Sequence, residues 1–219
     1  MEWRSVAALG LGATAVALGV ACGDGEAKPP RGVTAEDLPA MVLQQEDVPA
    51  ALERVEEDNR ELGFVEPEYD PRAESMFLRQ FELPSGEVAA GGAVCIRTSA
   101  LLYASPKDAK DTWDELQEIE DLFYEEGAGS SLTTEELTLP DLGDASIGYG
   151  PVEPTEIPCE SYQGQSGGSH HIFFRRWNIV AGLIVYWSES DQPSDQAISL
   201  AQKQAGRIEA LLEEEPHDR

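Results

Sequence analysis

Basic residues are scarce. Fifteen Lys plus Arg face 42 Asp plus Glu in 219 residues, a formal charge of −27. That balance excludes binding to a nucleic-acid backbone, which needs clustered cations, and disfavours electrostatic docking on anionic lipid. Cysteine is also rare. Three residues are too few for a disulfide-dense miniprotein or a Cys₄ zinc site. No apolar run is long enough to remain as a membrane span. The longest apolar run, Val6 to Ala21, covers about 24 Å as a helix against a hydrocarbon core of ~30 Å. What is present suffices for one folded domain: 41% hydrophobic residues with four Trp, six Tyr and six Phe can build a core.

The amino terminus reads as a secretory signal. Arg4 precedes the apolar run, and the polar Gly23-Asp24-Gly25-Glu26 that follows Cys22 cannot continue a membrane helix. Leu18-Gly19-Val20-Ala21-Cys22 resembles the lipobox of bacterial lipoprotein precursors, with small Ala21 just before the cysteine. The resemblance implies diacylglyceryl attachment and palmitate-type acylation at Cys22, with cleavage before it. The chain would then sit on the extracytoplasmic face of the cell membrane, its membrane partner engaged through the lipid. Gly19-Val20-Ala21 also fits an ordinary small-x-small cleavage site, which would give a secreted protein. With Cys22 lipidated, Cys95 and Cys159 are left as an even pair in an oxidising compartment, so a disulfide is expected, with two independent buried thiols as the alternative.

The expected organisation is a signal peptide over 1–21, a lipidated flexible tether over 22–33, a single α+β domain over 34–213 and a disordered tail over 214–219. Gly23 to Val33 carries two Pro and three Gly without apolar periodicity, as a spacer does. Thr34-Ala35-Glu36-Asp37 predicts a capping box opening a short helix with Leu38, Met41 and Val42 apolar. Ala50 to Leu62, strongly acidic with Ala51, Leu52, Val55 and Leu62 apolar, predicts a second helix. Strands are predicted at Ser75 to Leu83 and Val94 to Tyr103. In the latter, Val94, Ile96, Thr98, Ala100 and Leu102 share one face, and Cys95, Arg97, Ser99, Leu101 and Tyr103 the other. Ser105-Pro106 then caps a helix that Gly127 ends.

The second half repeats that order. A short strand at Ser146 to Tyr149 and a Pro-rich loop from Pro151 to Pro158 lead to strands at His170 to Arg176 and Ile179 to Trp187. These two are joined at Trp177-Asn178, where Asn tolerates positive φ. Ser194 caps a final helix. Strands then helix, twice over, predicts an α+β fold: an antiparallel sheet with two longer helices packed on it. Leu142-Gly143-Asp144-Ala145, Phe174-Arg175-Arg176-Trp177-Asn178-Ile179-Val180 and the last helix together resemble small exported PsbP/Mog1-like α+β domains. That resemblance implies a fold whose members are mostly non-enzymatic.

Candidate chemistry is thin. Gly164-Gln165-Ser166-Gly167-Gly168 matches G-x-S-x-G and resembles the nucleophile segment of chymotrypsin-like proteases, but His170, His171 and His217 all follow the serine. A glycine-rich loop ahead of a strand is the simpler reading. His170-His171 would point to opposite faces of a strand and cannot easily chelate one ion. The acidic groups Glu56-Glu57-Asp58, Asp141 with Asp144, and Glu189 with Asp191 and Asp195 lack the EF-hand pattern and read as solvated surface. Trp177 beside Arg175 and Arg176 is a candidate partner contact on an acidic protein; otherwise it packs on its own sheet while the arginines pair locally. No catalytic residue, metal site or cofactor is assigned. The expected function is a membrane-anchored, non-catalytic binding or interaction module using its sheet–helix cleft or the Trp177 hairpin. An envelope serine hydrolase using Ser166 and a structural lipoprotein are the alternatives.

Overall fold

The computed structural model of the chain describes residues 32–61, 72–84, 92–126, 135–157, 159–162, 166–188 and 194–213. The leader, Cys22, most of the tether, Gly164, Gln165, Glu189, Asp191 and the tail lie outside them. Seven strands form one antiparallel sheet: β1 (Glu53–Glu61), β2 (Ala73–Glu82), β3 (Ala93–Tyr103), β4 (Glu135–Glu136), β5 (Ala145–Glu156), β6 (Ser166–Arg176) and β7 (Ile179–Trp187). Their order across the sheet is β1-β2-β3-β7-β6-β5-β4. Two meanders therefore meet where β3 pairs with β7, and the α+β class expected from the element order holds.

Three helices pack on this sheet: α1 (Leu38–Met41), α2 (Pro106–Glu126) and α3 (Ser194–Glu213). The Asp37 carboxylate accepts the Thr34 N–H at 2.9 Å, tightening a 3-10 turn (Ala35–Asp37) ahead of α1. Ser105 Oγ accepts the Asp108 N–H at 3.2 Å at the start of α2, the cap predicted from sequence. The two long helices take opposite faces. Buried Ala197, Leu200, Ala201 and Ile208 of α3 join Ile96, Ala100, Leu102, Ala181, Leu183 and Val185 in the main core, together with Leu38 and Met41 of α1. Ala109 and Trp113 of α2 pack instead on Tyr103 and Val180, which alternate with those residues along β3 and β7. Lys203 and Arg207 of α3 hold the segment after α1, donating to the Asp47 carbonyl and to the Glu46 and Asp47 carboxylates.

Three local expectations are corrected. The helix expected over Ala50 to Leu62 is largely the edge strand β1, paired with β2 from Glu53↔Glu82 to Glu61↔Ser75. Glutamate favours helix, but the pairing energy of a sheet edge outweighs that small preference. The expected Pro-rich loop is a continuation of β5, which runs on to Glu156 with irregularities between Tyr149 and Val152 and between Val152 and Thr155. Pro151 and Pro154 fall within those two irregularities, where a residue without an N–H is tolerated in a strand. At the β6–β7 turn the positive φ (58°) belongs to Trp177, not to Asn178.

Candidate functional site

The two sheet faces are covered unequally. Along β3, Thr98, Ala100 and Leu102 are buried beneath α1 and α3, whereas Arg97, Ser99 and Leu101 on the other face are half-exposed. The same alternation recurs in β6, where Ile172 and Phe174 are sealed and His171 and Phe173 are not. The described part of α2 covers only the Tyr103–Val180 end of its face. At the other end the Cys95–Cys159 disulfide, with Cα atoms 6.4 Å apart, fastens the segment around Cys159 onto β3. Glu82 strengthens that attachment: its carboxylate accepts the N–H groups of Glu160 and Ser161 at 3.0 and 3.1 Å.

Between these two covers lies a groove of about 240 Å³. Leu78, Leu101 and Ile184 form its floor, Phe173 one flank, and Thr112 and Leu116 of α2 another. Gly182 faces Ser99 across the β3–β7 pairing and keeps the floor low. A Cβ there would stand 2.9 Å from Ser99 Oγ and 3.2 Å from the Phe173 ring. Arg97 is the only charged residue lining the groove among the described residues. Its Nε donates to Gln80 Oε1 at 2.6 Å, and Gln80 in turn donates to Glu82. Nearby Tyr186 has its pKa raised, chiefly by burial, with Arg97 pulling it back down.

The hairpin singled out in the sequence is engaged internally. Asp144 accepts the Trp177 N–H at 2.7 Å and also bonds Arg175 and Arg176. Arg176 further grips Glu209 of α3 through two bonds, at 2.6 and 2.7 Å. Trp177 itself is partly buried against the main core. Local structure thus accounts for all three residues.

The histidines split as the strand geometry requires. His170 is 1% exposed and meets the Trp187 ring at 4.6 Å on the α3 face. Burial, and secondarily neighbouring His171, depress its pKa from 6.5 to about 4. His171, on the groove face, bonds Ser169 Oγ at 2.9 Å, and burial lowers its pKa to about 4 as well. That Ser–His contact leaves no distinctive sequence signal, because i, i+2 neighbours on a strand are a commonplace spacing. Ser169 is fully buried and the imidazole is a weak base, so the pair does not make an activated nucleophile. Ser166 opens β6 opposite Glu156. Among the described residues, no group of three or more His, Cys, Asp or Glu is placed to hold a metal. Nor is any helix among them long and apolar enough to cross a membrane.

No known family model matches the chain, and no curated protein does. In overall fold it is similar to the extracellular domain of PknH from Mycobacterium tuberculosis. The two superpose with a TM-score of 0.51 at 10% identity, over 81% of this chain and 98% of that one. At that identity the likeness concerns the fold alone.

Proposed function

We propose that the protein is a non-catalytic binding module that works outside the cytosol, held to the membrane through lipid at Cys22, with the groove beside α2 as its ligand site. The half-open sheet face carries this reading. Leu78, Leu101, Phe173 and Ile184 are only partly buried and turn their remaining apolar surface toward one groove, where an apolar ligand would complete their burial. A concave, mainly apolar surface with a few convergent polar groups is the usual form of a small-molecule site. The lipobox-like leader, the Cys95–Cys159 bridge and the likeness to a domain described as extracellular support the location.

Titration with the neutral apolar dye N-phenylnaphthylamine tests the site. Its fluorescence should rise on binding the wild-type protein and fail to rise with Gly182→Val, which fills the floor, provided that variant melts cooperatively. An equal rise in both, or none in either, sinks the groove as the site. Cys22→Ser should move the protein from the membrane to the soluble fraction and abolish a fatty-acyl mass adduct on the parent. A parent without that adduct refutes the anchor. Labelling by a fluorophosphonate probe that depends on Ser166 or Ser169 would refute the non-catalytic reading.

A further inference from the structure

Arginines with described side chains are otherwise all in ion pairs. Arg54 and Arg79 meet Glu57, Arg72 meets Glu115, Arg175 and Arg176 meet Asp144, and Arg207 meets Glu46 and Asp47. Arg97 makes none. On a chain with 42 carboxylates a guanidinium without a carboxylate partner is unexpected. The nearest anion along its hydrogen-bond chain, Glu82, is reached only through Gln80 and already accepts from two backbone N–H groups. Arg97 is also half-buried, so its charge is partly stripped of water without a counter-charge to compensate.

Position matters as much as charge. Along β3, Leu101, Ser99 and Arg97 follow one another on the groove face, so the Cα atoms of Arg97 and Leu101 lie ~13 Å apart at a rise of about 3.3 Å per residue. Arg97 therefore lies toward the disulfide-fastened end of the floor, with the apolar residues running from it toward α2. The volume, about 240 Å³, falls just below the ~300–1,000 Å³ of drug-sized pockets, which suits one short chain and not a two-tailed lipid.

We infer that the groove takes a single-chain amphiphile with an anionic head, its apolar chain along Leu101, Phe173 and Ile184 and its carboxylate or phosphate on Arg97. This rests on the groove being the binding site and adds the class of ligand. The anion would supply the counter-charge that Arg97 lacks, through charge-assisted bonds from its remaining N–H groups. The overall negative charge of the protein makes the pairing selective: an acid without an apolar chain has only repulsion to overcome and one cation to gain.

Calorimetric titration of the intact protein with decanoate, decanol and acetate separates the contributions. Wild type should bind decanoate about ten- to hundred-fold more tightly than decanol, the span expected for a hydrogen bond to a charged group, and acetate should not bind measurably. Arg97→Met, which keeps the apolar stem, should bring decanoate down to the level of decanol, and Arg97→Lys should retain most of the preference. Decanol binding as tightly as decanoate in the wild type would overturn the role of Arg97 while leaving the groove reading intact. Acetate matching decanoate would overturn the role of the apolar chain. No binding of either ten-carbon ligand would remove the groove reading and this inference together. A lysophosphatidylglycerol titration places the source: tighter binding than decanoate points to a membrane lipid and weaker binding to a free acid, and either order supports the shared chemistry.

Discussion

Replacing His170 by phenylalanine removes a proton site from the interior while keeping a flat ring against Trp187. In the wild type that imidazole is 1% exposed, its Nδ1 meets no partner, and the backbone of Gly150 presses on the ring so closely that a Cβ there would lie 2.8 Å away. Burial favours the neutral form, so the folded pKa of about 4 lies below the ordinary 6.5. Between those two values the unfolded chain binds a proton that the native chain excludes, and stability falls as the pH falls through that window. Two-state linkage with these values gives a loss of about 2 kcal/mol between about pH 8 and about pH 5, growing to about 3 kcal/mol near the folded pKa and levelling off below it. Carboxylates on the surface add their own acid dependence, but they are common to both proteins and cancel in the difference. Urea denaturation followed by tryptophan fluorescence at several pH values should therefore show His170→Phe gaining about 2 kcal/mol on the wild type as the pH is lowered. His171 keeps its own contribution of the same sign in both. Parallel curves for the two proteins would refute the reasoning, because they would mean that His170 takes up its proton in the native state as easily as in the unfolded chain.

Three other outcomes follow from the geometry. Replacing Cys95 and Cys159 by serine opens a loop of 64 residues and should cost about 4 kcal/mol in the chain-entropy model, read as a lower urea midpoint with a steeper slope as the unfolded chain expands. The same pair of substitutions should also weaken ligand binding in the groove, because the segment around Cys159 is then held by the Glu82 bonds and the packing of Ile157 and Tyr162 without a covalent tie. Asp144→Ala removes the acceptor shared by the Trp177 N–H, Arg175 and Arg176 and should cost about 2 kcal/mol by the same denaturation measurement.

Much of the architecture was legible in local signals. The alternation of β3, the Ser105 cap and the helical spacing of α2 and α3 each depend on a few neighbouring residues, and each appears where the sequence places it. Even the partition of β3 into Ile96, Thr98, Ala100 against Arg97, Ser99, Leu101 carries through to the two sides of the sheet. β1 was not legible, because its stability comes from the backbone of β2 and its own composition argues for a helix. The run of β5 through Pro151 and Pro154 depends likewise on its pairing with β6 across two register shifts. The site was visible only as an unspecified sheet–helix cleft. What makes it particular, an Arg97 without a carboxylate beside a floor kept low by Gly182, is set by register between strands about eighty residues apart and by where distant acids fall. The partners of the Trp177 hairpin, Asp144 and Glu209, are remote along the chain and leave no local signal beside it.

The boundaries of the sheet limit how this molecule can meet others. At the β1 margin the described residues present Glu53, Glu56 and Glu57. That margin does not invite a further acidic strand, since like charges repel an incoming acidic chain. Recognition by strand addition, a common way for sheets to capture peptides, is therefore disfavoured there for any partner as acidic as this chain. Two copies of the protein would accordingly not zip together β1 against β1.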